Sequence, residues 1–284
     1  MGFCSTKLAA EGLVIGPGRA NGHSMNRQYP EPVTVKAWLK GDQFDLDRLV
    51  ELFPAGDIRV VKDGDEFYLA ALEIDSEADG SKFYEVAPEV LQRVNGMARA
   101  MHPNDYRPVE LVGRYQVGEN RHHVVLADCA EAREQAMPVT VVVGSGAIEA
   151  RGRLTAVGTV TRSGEPAPLP PPQGPKYLAL AAQHSDVAEA LTIMGNAEPN
   201  WVELYKVYEI IRDNIRPAKI EDKGWATKQE QSTFTGSANR PDVGGAYARH
   251  ARTSGVPPVR IMSLQQARHF IGDLVVRWIK GLQP

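Results

Sequence analysis

The chain has 284 residues, 43% hydrophobic and 24% charged, with a formal net charge of −3. This composition excludes a disordered polyelectrolyte and a globally basic nucleic-acid binder, so any contact with nucleic acid requires a local basic patch. Two cysteines, Cys4 and Cys129, exclude a disulfide framework, and no run of eighteen apolar residues is present to span a membrane. Without an apolar signal core at the start, the expected compartment is the cytoplasm. The opening Met-Gly-Phe-Cys-Ser-Thr fits a loose myristoylation pattern on Gly2, a pattern with meaning only in a eukaryotic cell.

Residues 1–30 mix Gly, Ser, Asn and Pro with little periodicity and are expected to form a flexible leader. From Val33 the apolar residues alternate through Val35, Ala37 and Leu39, the pattern of a half-buried strand. Phe44, Leu46, Leu49, Val50 and Phe53 then give a short helix. Lys62-Asp63-Gly64-Asp65 separates two apolar runs, 58–61 and 66–74, and predicts a hairpin, because glycine accepts the positive φ of the turn. Phe83, Val86, Val90, Val94, Met97 and Met101 recur at steps of three and four and predict an amphipathic helix over 81–101, with Pro88 at its first turn or at a kink. Runs at 109–117, 121–127, 138–144 and 148–160 are strand-like, with turns at Gly118-Glu-Asn120 and Gly144-Ser-Gly146. The pattern over 31–162 is therefore an α+β domain, a mainly antiparallel sheet with two helices.

Residues 163–175 are rich in proline and are expected to be a linker in extended polyproline conformation. Beyond it, 176–284 is helical in pattern. Leu178, Ala181, Val187, Leu191 and Met194 mark a segment over 176–194. Asn200 with Glu203 forms a capping box before the stripe Trp201, Leu204, Tyr208, Ile211 and Ile215. A further segment runs from Asp222 to about Phe234. Ser263 with Gln266 opens the last helix, whose stripe is Leu264, Ala267, Ile271, Leu274 and Trp278. Four such helices can close an all-α bundle.

Between these periodic segments lies a polar island, Asn239 to His250. Gly244-Gly245 permits a tight backbone, Arg240 and Arg249 offer planar forks suited to phosphate, and His250 titrates nearest neutrality. Arg252 and Arg260 extend the positive charge, and with Asn239 they are the candidate RNA- or anion-binding residues. The structural alternative pairs Arg240 or Arg249 with Glu230 or Glu203, and has His250 cap a helix. Other motifs fall away. Gly144-Ser-Gly146 lacks the third glycine and the following helix of a dinucleotide loop. His122-His123 in a strand point to opposite faces. His269 and Asp273 form an ordinary exposed i,i+4 pair. No metal-binding spacing and no cofactor motif is present, so none is expected.

The layout of the last hundred residues, with Trp201-Val-Glu-Leu-Tyr-Lys, then Arg249-His250 before the helix Ser263-Leu-Gln-Gln-Ala-Arg-His-Phe-Ile, resembles the HEPN superfamily of helical nucleotide-binding and RNase domains found in prokaryotic defence and toxin systems. In that family four to six residues lie between an Arg and the His that follows it. Here Arg240 precedes His250 by ten positions, and Arg249 is adjacent to it. The resemblance implies a bacterial protein that binds or cleaves RNA, commonly as a homodimer. If it cleaves, it does so without metal, with His250 as acid or base and Arg240 or Arg249 on the phosphate. The competing expectation is a non-enzymatic sensor or interaction protein whose bundle mediates dimerisation or partner binding.

Overall fold

Val35, Ala37 and Leu39 are buried while Lys40 on the same run is exposed, so the first strand turns one edge of its pleat into a core. It is β1, Val35–Lys40. The computed structural model describes residues 34–78, 82–103, 105–123, 172–250, 252 and 260–283, all within one unit, Pro32–Pro284. The expected strands at 138–144 and 148–160, the leader 1–30 and all but the end of the linker lie outside the described residues.

After β1 the chain forms α1, Gln43–Leu52, capped by the Asp42 carboxylate on the Phe44 amide. The hairpin follows as β2, Ile58–Asp63, and β3, Glu66–Ala71, with Gly64 at φ +63° in the turn. β3 stops earlier than the apolar run. At Leu72 the backbone turns into the short α2, Leu72–Asp75, because the Leu72 amide donates to Asp57 and the Asp75 carboxylate accepts from the Val35 amide at 2.7 Å. Next comes α3, Phe83–Met101, then β4, Glu110–Val117, and β5, Asn120–His123. Pro88 lies inside α3 and leaves it continuous. The strands pair antiparallel throughout in the order β2-β3-β1-β4-β5, the arrangement of a split β-α-β motif with one added edge strand. The N-terminal region is thus α+β, with an antiparallel five-stranded sheet, and the C-terminal region is helical.

The segment 176–194 is two helices. α4, Gly174–Gln183, and α5, Ser185–Met194, break at His184, whose backbone is extended. The last two residues of the expected linker, Gly174 and Pro175, already belong to α4. A side chain at Gly174 would stand 2.5 Å from the Leu52 carbonyl oxygen, so α4 begins in close contact with the end of α1. α6, Trp201–Asn214, starts at the expected Asn200/Glu203 capping box. α7, Lys228–Ala238, begins later than the segment expected from Asp222, because Thr227 and Glu230 form a second capping box. α8, Pro241–Gly244, and a 3-10 turn, Gly245–Tyr247, follow. α9, Leu264–Gly281, starts at the Ser263/Gln266 box.

The described parts of 31–162 and 176–284 share one hydrophobic core. Its hinge is α3, which packs on the sheet, on α5 and on α9. The approach is close enough that a Cβ on Gly96 would fall 1.9 Å from the Leu191 carbonyl oxygen. Gly272 of α9 rests similarly against Ala100. Among the described residues no helix is long and apolar enough to cross a membrane.

Candidate functional site

The island folds back on the helices that flank it. α7 ends at Ala238, and the Ser237 hydroxyl accepts the Met262 amide at 2.9 Å, tying the start of α9's approach to the end of α7. Gly245 supplies a φ of +57°, which reverses the chain, and the Arg249 amide then donates to the Ala238 carbonyl at 2.9 Å. Gly244 lies against Trp201, where an added Cβ would meet Cδ1 at 3.0 Å. The polar sequence is therefore a short helix and a turn strapped over the N-terminus of α6, and not an irregular loop.

This path separates the two arginines. Arg240 is bound by its own neighbour: Nε and Nη2 donate to the two Asp242 oxygens at 2.8 and 2.6 Å. The hydrogen-bonded pair drives both pKa values apart, Arg240 upward and Asp242 below the ordinary carboxylate range. Arg249 lies over the Tyr205 ring, 4.2 Å from its centroid, with Nη2 3.5 Å from Glu209. Neither uses Glu230 or Glu203, since those carboxylates serve the capping boxes at Thr227 and Asn200. His250 is exposed, caps none of the described helices, and forms no hydrogen bond or ion pair with a described residue. Arg252 and Arg260 are exposed in the same way. Tyr247 stands 61% exposed within the turn.

Asn239 ends α7 beside Arg240, and its Oδ1 is buried without a hydrogen-bond partner among the described residues. No hydrogen bond or ion pair joins His250 to Arg240, Arg249 or Asn239. Three cavities bounded by described residues are lined by none of the six candidate residues.

A second polar group escaped the sequence reading. On α3, Asn95 and Arg99 lie one turn apart and are 5% and 4% exposed, inside the buried face of the helix. Asn95 Nδ2 donates to the Val109 carbonyl, and its Oδ1 accepts from the Tyr106 hydroxyl and the Val109 amide. Arg99 Nη2 donates to the Ala197 carbonyl at 2.7 Å, and its Nε is buried with no hydrogen-bond partner among the described residues. Burial pushes the Arg99 guanidinium down to about 10, with Arg268 adding to the effect, and pushes the Tyr106 phenol up. Asp45 of α1 is also buried here and acts on both electrostatically. The signal in the sequence was the Asn95 and Arg99 pair interrupting the stripe of Val94, Met97 and Met101. The network ties Tyr106, Val109 and the α5–α6 connection at Ala197 to α3, and beside it a groove opens between α3 and β4.

Comparisons with protein-family models, curated proteins and solved structures give no match.

Proposed function

We propose that this protein binds RNA without cutting it, through the strap from Asn239 to His250 and the arginines Arg252 and Arg260. The observation that supports this reading is the setting of Arg249. Its guanidinium is held over Tyr205 and beside Glu209, and the side chain remains 40% exposed, so it is oriented but still accessible. Tyr247, His250 and Arg252 are exposed close by in the chain. Single-stranded nucleic acid is held by this combination of fixed cations and exposed aromatic rings, and phosphate contacts make the affinity fall with salt.

Cleavage needs more than binding. A general acid or base must reach a reacting proton while a cation faces the phosphate. Arg240 is occupied by Asp242, and no contact couples His250 to either arginine. The HEPN resemblance implies a homodimer, and the binding reading keeps that expectation.

The test is anisotropy of a fluorescein-labelled single-stranded RNA at low and high salt, alongside a cleavage gel in EDTA. Binding that weakens with salt, with the RNA left intact, is expected. Absence of binding at low salt overturns the reading. Cleavage in EDTA that disappears in His250→Ala would replace it with a catalytic one. Light scattering of the same samples reports the dimer.

A further inference from the structure

We propose that the groove between α3 and β4 is a binding site for a small, uncharged aromatic molecule. The groove has a volume of about 430 Å3, within the range of small-molecule sites. Tyr84 and Leu91 of α3 form one wall, Leu111 and Tyr115 of β4 the other, and Gly195 and Ala197 close one end. These walls are already in place, held by the Asn95 and Arg99 contacts to Val109 and Ala197.

Charge selects the class of ligand. Of the thirteen lining residues only Glu110 is charged, and it pairs with Lys40 at 2.9 Å. Among the described residues no cation lines the groove to hold a carboxylate or phosphate. The amides of Gln92 and Asn95 are engaged with Asn196 and Val109, so the remaining lining is mostly apolar and aromatic. A flat ring presents faces and edges to two tyrosines and gains from both.

Two features give such a ligand a polar anchor. Tyr115 is only 3% exposed, its ring packs against Phe83 at 5.2 Å, and its hydroxyl has no hydrogen bond to a described residue. A phenol placed in that setting can meet a ligand donor or acceptor, and burial raises its pKa above the ordinary 10. The second feature is the irregularity in β4. Ala37 faces Tyr115 and Leu39 faces Leu111, so Val112, Gly113 and Arg114 together lie opposite Trp38 alone. Gly113, at φ +78°, lines the groove from this bulge. Bulges redirect main-chain groups out of the ladder and recur beside binding sites.

The probe is N-phenyl-1-naphthylamine, a neutral aromatic dye, titrated into the full chain. Saturable enhancement of its emission at one site, insensitive to salt, is expected. Ala197→Trp places a ring at the exposed end of the groove and leaves the carbonyl that holds Arg99, so affinity should fall by about tenfold or more as the site fills. Tyr115→Phe keeps the ring against Phe83 and removes the hydroxyl, and should weaken the dye by a few-fold while leaving the melting temperature near wild type. As a second readout, the methyl resonances of Leu91 and Leu111 should shift with dye, and those of Ile271 should not. Absence of saturable binding overturns the proposal. So does binding by Ala197→Trp equal to wild type, or a dye that shifts Ile271 and spares Leu91.

Discussion

Arg249 lies over the ring of Tyr205 at 4.2 Å, and this contact distinguishes it from Arg240, which is closed into a two-residue ring with Asp242. Arg249 meets Glu209 through Nη2 alone, at 3.5 Å, and keeps its other N–H groups for a second partner, whereas the bidentate Asp242 carboxylate takes both Nε and Nη2 of Arg240. Ten positions separate Arg240 from His250, and the intervening short helix and turn account for that spacing.

For RNA binding, Arg249→Ala should lower affinity and reduce the slope of log affinity against log salt by about one, as expected for one lost phosphate contact. Arg249→Lys should keep the slope and lose part of the affinity, because a lysine does not stack as a plane. Arg240→Gln should change neither by much. An Arg240 effect larger than that of Arg249, measured by anisotropy, would reverse this assignment.

Helix packing makes a sharper prediction at Gly96. The missing side chain lets α3 touch α5 through the Leu191 carbonyl, and a Cβ would sit 1.9 Å from that oxygen. Gly96→Ala must push the helices apart and should cost about 1–3 kcal/mol, the usual range for overpacking. Gly64→Ala is the control. Its space is open, so any loss there, about 1 kcal/mol, is backbone strain at positive φ. Urea unfolding of the two variants separates the effects, and a loss at Gly96 below about 0.5 kcal/mol would show that α5 yields easily.

Local structure was legible in the sequence wherever one short-range rule governed it. The caps at Asn200 and Ser263 fall where hydroxyl or amide and Glu or Gln stand three apart, because capping is a contact within one turn. The hairpin at Gly64 follows the same logic. The break at His184 was not legible, since Leu178 to Met194 stays apolar across it and tertiary contacts set the angle. The union of the two halves through α3 was hidden for a related reason: the close approaches at Gly96 and Gly195 show only once Leu191 and Gln92 stand against them. At the island, residue types were legible and partners were not. Asp242 is a neighbour two residues on that the Arg240 side chain closes upon, whereas Glu209, forty residues before Arg249, was chosen by the fold of the strap.

A shared core has a thermodynamic consequence. Trp38 lies in the sheet region, while Trp201 and Trp278 lie among the C-terminal helices. Unfolding followed by tryptophan fluorescence and by far-ultraviolet dichroism should give one coincident transition. A fragment covering 174–283 should lack cooperative unfolding, because the faces of α5 and α9 that pack on α3 would be exposed. Two separate transitions, or a fragment as stable as the whole, would mean that the halves are energetically independent.

Trp278 is fully buried, and its indole N–H donates to Asn214 at 2.9 Å. Trp278→Ala should cost about 3–5 kcal/mol through the cavity it leaves. Trp201, 3% exposed, should fall in the same range of about 3–5 kcal/mol on truncation. Calorimetry on both variants checks this, and a loss under about 1 kcal/mol would place the weight of the helical core elsewhere.

Asp75 provides a pH dependence with a definite sign. Its carboxylate accepts the buried Val35 amide at 2.7 Å, yet burial raises its pKa above the ordinary 3.8, outweighing that hydrogen bond and Arg59. A carboxyl whose folded pKa is raised binds its proton more tightly when folded, so ionisation costs stability. The cost is fully present above the folded pKa. It is relieved as pH falls through that value towards the unfolded one. Asp75→Asn keeps the acceptor and removes the ionisation. It should be more stable than wild type at about pH 7, with the difference gone by about pH 4 or below. Asp75→Ala should be less stable at both, because the Val35 amide is left buried without a partner. Urea midpoints of the three proteins at the two pH values decide the matter. If Asp75→Asn is the weaker protein at about pH 7, the hydrogen bond to the charged carboxylate outweighs its desolvation, and the sign is reversed.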